Sequence, residues 1–108
     1  MALNLPQPLP EYFAASNADD ADRIAACFAE QATVHDEGHD HAGRDAIRQW
    51  ALEARQKYSF QSEPLAVDGS PDRPVVLARV TGNFPGGSVD LSHRFVLADG
   101  AIVALSIG

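Results

Sequence analysis

A helical period between residues 43 and 58, replaced after Tyr58 by a strand period, most constrains what this chain can fold into. Ile47, Trp50, Ala51, Ala54 and Tyr58 recur at three- and four-residue spacing, with Arg48, Gln49, Glu53, Arg55 and Lys57 between them. Such a stripe is one apolar helix face, and it needs a partner surface to cover it. The residues that follow form four apolar runs, Phe60–Val67, Val75–Thr81, Val89–Leu97 and Ala101–Ile107. Asp68-Gly69-Ser70-Pro71-Asp72, Phe84-Pro85-Gly86-Gly87 and Asp99-Gly100 divide them, and the last pair is a strong two-residue hairpin signal. Pro64 cannot donate to a ladder, so it predicts a bulge or an edge in the first run.

The elements read in the first half of the chain are shorter. Pro6, Pro8 and Pro10 make an extended lead-in, and Pro10 suits the first turn of a helix over 10–17. Asp19 and Asp20 are N-cap candidates for a second helix to about Ala29, with Ile24, Cys27 and Phe28 on one face. Ala32 to Asp36 reads as a short strand, and Glu37 to Ala42 as a polar loop. Helices first and antiparallel strands after them predict an α+β domain with helices on one sheet face.

At 108 residues the chain is read as one domain, 1–108, large enough for a core and at the small end for an enclosed pocket. A net charge of −7 disfavours nucleic acid and anionic membrane surfaces, which repel a negative field. No apolar run approaches a membrane span, and the opening residues lack the basic and apolar regions of a signal peptide. A single cysteine, Cys27, cannot form an internal disulfide, so the expected compartment is a reducing cytoplasm.

Two residues point to chemistry. Asp36 ends the run Ala32-Thr33-Val34-His35, and Tyr12 lies on the first helical segment. A carboxylate and a phenol on apolar elements are parts of a proton-transfer site. Each also has a plainer reading, Asp36 as a solvated strand end and Tyr12 as an amphipathic core residue. Alternation in the third late run places His93 with Val89, Leu91, Phe95 and Leu97, facing the helices. A histidine there is either a satisfied core residue or a donor or proton shuttle. The cluster His35-Asp36-Glu37-Gly38-His39-Asp40-His41 resembles a metal site in composition. Metal sites need three or four ligands fixed in geometry, so a polar pocket-rim loop is expected and no metal. Cys27 is expected to be inert packing, and Arg79 to lie on the outer sheet face or to meet a substrate carboxylate.

The segments Tyr12-Phe13-Ala14-Ala15-Ser16-Asn17-Ala18-Asp19-Asp20, Phe28 through Asp36, Gly43-Arg44-Asp45-Ala46-Ile47-Arg48 and Asp99-Gly100-Ala101-Ile102-Val103 together resemble the nuclear transport factor 2-like superfamily. Within it the likeness is to SnoaL-like polyketide cyclases and ketosteroid isomerase. The resemblance covers the chain from about residue 9 onward. It implies a cone-shaped, strongly curved antiparallel sheet covered by three N-terminal helices around a pocket. It also implies Asp36 as catalytic base and Tyr12 as oxyanion donor, with His93 where the isomerase has a protonated acid. Trp50 matches a pocket aromatic, and Phe28, Phe60, Phe95, Leu97 and Leu105 are expected as core or pocket wall. Two departures stand out: the protonated acid is missing, and the Phe84–Gly87 hairpin is short, which favours a smaller ligand.

The implied function is cofactor-independent acid–base catalysis, as isomerase, cyclase or dehydratase, on a small apolar ligand. The resemblance also implies a homodimer built on the outer sheet face. The superfamily includes non-catalytic domains too, so a ligand-binding or dimerisation domain is the alternative. Convergence of Asp36, Tyr12 and His93 on one cavity separates the two readings.

Overall fold

The computed structural model describes residues 4–57 and 59–108. The element order is α1 (Leu9–Asn17), α2 (Ala21–Ala26), β1 (Phe28–Asp36), β2 (His39–Ala42), α3 (Arg44–Lys57), β3 (Phe60–Ser70), β4 (Arg73–Gly82), β5 (Ser88–Ala98) and β6 (Ala101–Ile107). Tyr58, the last member of the helical stripe, lies outside the described residues.

Local chemistry accounts for most boundaries. The Asp20 carboxylate accepts a hydrogen bond from the Arg23 backbone N–H at 3.1 Å, capping α2. Asp99 and Gly100 both have positive φ, 53° and 77°, the backbone of a tight hairpin turn. Pro64 meets both expectations, since β3 is an edge strand and its register with β4 shifts between Pro64 and Ala66. α1 buries Leu9, Tyr12, Phe13, Ala15 and Ser16, one face at three- and four-residue spacing, and α3 buries Ile47 and Ala51. These faces close over Phe28, Val34, Val76, Phe95, Ile102 and Leu105, which form the centre of the core.

The sheet has six strands in the order β2-β1-β6-β5-β4-β3. This corrects the expected cone in three ways. The sheet is mixed, because β1 runs parallel to β6, with Val34 opposite Leu105 and His35 opposite Ser106. It is open, with β2 and β3 as its edges, and is not strongly curled. Two helices precede the sheet, and α3 lies between β2 and β3. Strand alternation records which side chains are covered but not which neighbour supplies the ladder. The direction of β1 was therefore beyond any local pattern.

Two boundaries move for the same reason. α2 ends at Ala26, and Phe28 opens β1 by pairing with Ile102, while the Cys27 carbonyl accepts from the Ile102 N–H at 2.9 Å. Sheet pairing by the last strand overrides the helical spacing of Cys27 and Phe28. The segment read as a polar loop contains β2, paired antiparallel with β1 from Thr33↔Ala42 to Asp36↔His39. Its turn is Glu37-Gly38, with φ of 53° and 77°, the same geometry as Asp99-Gly100. A glutamate at the first turn position hides the signal that Asp-Gly displays.

Phe28 is fully buried where α1, β1 and β6 meet. Phe28→Ala is expected to lower unfolding free energy by about 3–5 kcal/mol, measured by urea denaturation. An unchanged midpoint would show that the core does not depend on this contact.

Candidate functional site

Tyr12, Asp36 and His93 line one cavity of about 560 Å³, although they come from α1, the end of β1 and the middle of β5. Trp50 and Phe60 line it too, with Val89, Leu91 and Ile107 adding hydrocarbon from the sheet. Val89 is 41% exposed because its side of β5 opens into this space. Of the remaining expected wall residues, Phe28, Phe95 and Leu105 are buried in the core, and Leu97 packs against it. They support the cavity from behind and do not line it.

Each polar group is held by identifiable neighbours. The Trp50 indole Nε1–H donates to Asp36 Oδ2 at 3.1 Å, so α3 fixes the carboxylate at the strand end. Burial pushes the Asp36 carboxyl above the usual carboxylate range, and the indole hydrogen bond opposes that shift. Glu37 adds to the rise and His41 works against it. Tyr12 is only 4% exposed and makes edge-on contacts with Phe13, Phe28 and Phe95. Burial, then the nearby Asp36 carboxylate, raises its phenol well above the ordinary value, so it remains a donor across the working pH range. Among the described residues none accepts a hydrogen bond from its hydroxyl, and no sealed polar side-chain atom is left unpaired. The hydroxyl is thus open to the cavity.

His93 is also 4% exposed, edge-on to Phe13 and stacked near Phe95. Its Nδ1 lies 3.2 Å from the Leu91 carbonyl. Burial lowers the ring's pKa, and hydrogen bonding to the Leu91 and Val76 main chain only partly opposes this. The ring is neutral in the resting site.

Residues not singled out as wall also face the cavity. His39 and His41 sit two apart on β2, directly across from Asp36 and Val34, and both line it. The His41 ring lies 6.1 Å from that of Trp50. Their two-residue spacing was the available signal once β2 is known to be a strand. Arg55 stands over the Phe60 ring at 4.3 Å and donates to the Ser16 and Phe60 carbonyls, with Asp19 Oδ1 3.4 Å from its Nε. It ties α3 to the end of α1 and the start of β3, an arrangement that no local spacing announces.

The seven-residue cluster divides by strand face. His35 Nδ1 and Asp40 Oδ1 meet at 2.6 Å on the exposed face, while Asp36, His39 and His41 take the cavity side. Among the described residues, no group of three or more His, Cys, Asp or Glu side chains is placed to hold a metal ion. The Cys27 thiol donates to the Arg23 carbonyl at 3.4 Å, and burial pushes it up to about 11, so it is a poor nucleophile. Arg79 pairs across strands with Asp90 at 3.0 Å on an exposed face, away from the cavity. No helix among the described residues is long and apolar enough to cross a membrane.

The lowered His93 pKa has a definite consequence for stability. A histidine titrating below 6.5 when folded contributes stability that is fully present above 6.5 and is lost as pH falls through the folded value. Urea midpoints should therefore fall on acidification below that pH. In His93→Phe this part of the slope should be absent, and an identical slope in both proteins would show that His93 is not the group responsible.

Comparison with known proteins agrees with this architecture. No curated protein matches the sequence. Among solved structures, a protein from Sinorhizobium meliloti, provisionally assigned as a polyketide cyclase, is 38% identical, with a TM-score of 0.88 over 93% of this chain and 92% of that one. A Catenulispora acidiphila protein with a ketosteroid isomerase-like fold, solved with trimethylamine, is 16% identical, with a TM-score of 0.89 over 97% and 86% of the two chains. A further provisional polyketide cyclase, from Xanthomonas campestris, is 21% identical, with a TM-score of 0.80 over 92% and 84%. The latter two likenesses concern the fold alone. The family model described as a SnoaL-like domain matches residues 9–105, from the first turn of α1 into the last strand, and the chain accordingly belongs to the SnoaL-like family within the nuclear transport factor 2-like superfamily.

Proposed function

We propose that this chain is a cofactor-independent acid–base enzyme acting on a small, largely apolar ligand that carries a carbonyl group. The observation that carries this reading is the meeting of Asp36 and the open Tyr12 hydroxyl in one mostly hydrocarbon cavity. A carboxylate whose pKa is raised by burial is a stronger base, and a base is most effective when its pKa nears the working pH. Asp36 removes a proton from carbon next to the carbonyl. Tyr12 donates to the carbonyl oxygen as negative charge develops there. The proton is then returned at another position, or the enolate closes on a second group. The provisional cyclase assignment of the 38%-identical Sinorhizobium protein favours a cyclisation outcome within this scheme. The Trp50 indole keeps Asp36 aimed and limits its pKa rise, so its role is positional. The unpaired, buried Cys27 fits a reducing cytoplasm.

Asp36→Asn is expected to abolish turnover of a confirmed substrate while leaving the fold intact by circular dichroism. Tyr12→Phe should lower kcat by about 10²–10³. Activity that survives in Asp36→Asn would remove the proposed base.

We further propose that two copies pair through the outer sheet face, where Leu77 is exposed on the same side of β4 as the Arg79–Asp90 pair. Gel filtration with light scattering should give a dimer mass, and a monomer at high concentration would refute the pairing.

A further inference from the structure

The resemblance implied a second oxyanion donor at His93, alongside Tyr12. The hydrogen bonds of the central trio point to a different role. The Leu91 and Val76 main chains both favour a proton on the ring, and the contact that reaches hydrogen-bond geometry, 3.2 Å between Nδ1 and the Leu91 carbonyl, places that proton on Nδ1, because a carbonyl oxygen can only accept. A neutral ring carries one proton, and its Nε2 then offers a lone pair. β5 fixes this choice, because Leu91 lies two residues from His93 on the same strand and on the same side. Phe13, edge-on at 5.6 Å, and Phe95, stacked at 6.3 Å, pack against the ring. The Trp50 N–H is already committed to Asp36. Tyr12 is therefore the open donor of the central trio, and His93 and Asp36 are acceptors.

We infer that the cavity selects enolisable carbonyl compounds that also carry a hydroxyl group, the carbonyl oxygen accepting from Tyr12 and the hydroxyl donating to His93 Nε2. The inference rests on the acid–base reading for the role of Tyr12 and adds the substrate class. A ligand without the hydroxyl leaves a buried acceptor unpaired, which is the strongest kind of discrimination such a site can make. A cavity of about 560 Å³ has room for one or two fused rings bearing both groups. In the reaction His93 orients the substrate and takes no part in the proton removal assigned to Asp36.

Two measurements test this. Long-range proton–nitrogen correlation NMR on the unliganded protein should show His93 protonated at Nδ1, with Nε2 as a bare ring nitrogen. A proton on Nε2 overturns the proposal. Calorimetric titration should then compare meta- and para-hydroxyacetophenone with their methyl ethers, which keep the carbonyl and lose the donor. At least one hydroxy compound should bind about fivefold tighter than its ether. His93→Phe keeps an aromatic ring between Phe13 and Phe95 and should erase that preference, whereas Tyr12→Phe should weaken both members of a pair alike. Equal affinity in the native protein, a preference that persists in His93→Phe, or failure of every probe to bind overturns the proposal. None of these readouts involves turnover. Failure here therefore leaves Asp36 as base untouched, and activity surviving in Asp36→Asn leaves the His93 tautomer untouched.

Discussion

The parallel pairing of β1 with β6 is the constraint on which the rest of this structure depends. It joins the earliest strand to the latest, so the ladder closes only after the whole chain has been placed. By seating β1 inside the sheet, it buries Phe28 and Val34 and carries Asp36 to the end of a strand covered by α3. β2 then adds to the free side of β1 and presents His39 and His41 beside that carboxylate. An antiparallel hairpin can fold from neighbouring residues, whereas this contact requires closing a long loop first.

The central polar groups of the cavity are satisfied in different ways. Asp36 has the Trp50 indole, and His93 has the Leu91 carbonyl. Tyr12 has no acceptor among the described residues and opens to the cavity. Burial moves the three titrations in different directions, upward for the carboxyl and the phenol and downward for the imidazole. All three shifts have the same cause, which is the cost of charge in a low-dielectric space. The result is a carboxyl that holds its proton more tightly, beside a phenol that stays protonated and an imidazole that resists protonation.

Legibility from sequence followed the range of the interactions. The amphipathic stripe of α3, the Asp99-Gly100 turn and the place of Pro64 were readable because each is decided within a few residues. Tyr12, Asp36 and His93 were readable as candidates, through their apolar settings and a family likeness, and the structure brings them to one cavity. The turn at Glu37-Gly38 was not, because its conformation is imposed by the pairing of His39 and His41 with β1. Arg55 was also missed. It carries a charge on a helix otherwise read as solvated there, and only the approach of Ser16, Asp19 and Phe60 makes it part of the wall.

The amino-acid order by itself determined an α+β chain, most of its late turns, which faces were apolar, and which residues were candidates for proton transfer. Tertiary structure decided that the sheet is mixed and open, that Phe28, Phe95 and Leu105 lie behind the cavity, and that His93 Nδ1 lies against the Leu91 carbonyl. The physical reason is that side-chain period depends on local backbone geometry. Strand partners, cavity walls and tautomers depend on groups far apart in the chain, which meet only after the core has closed.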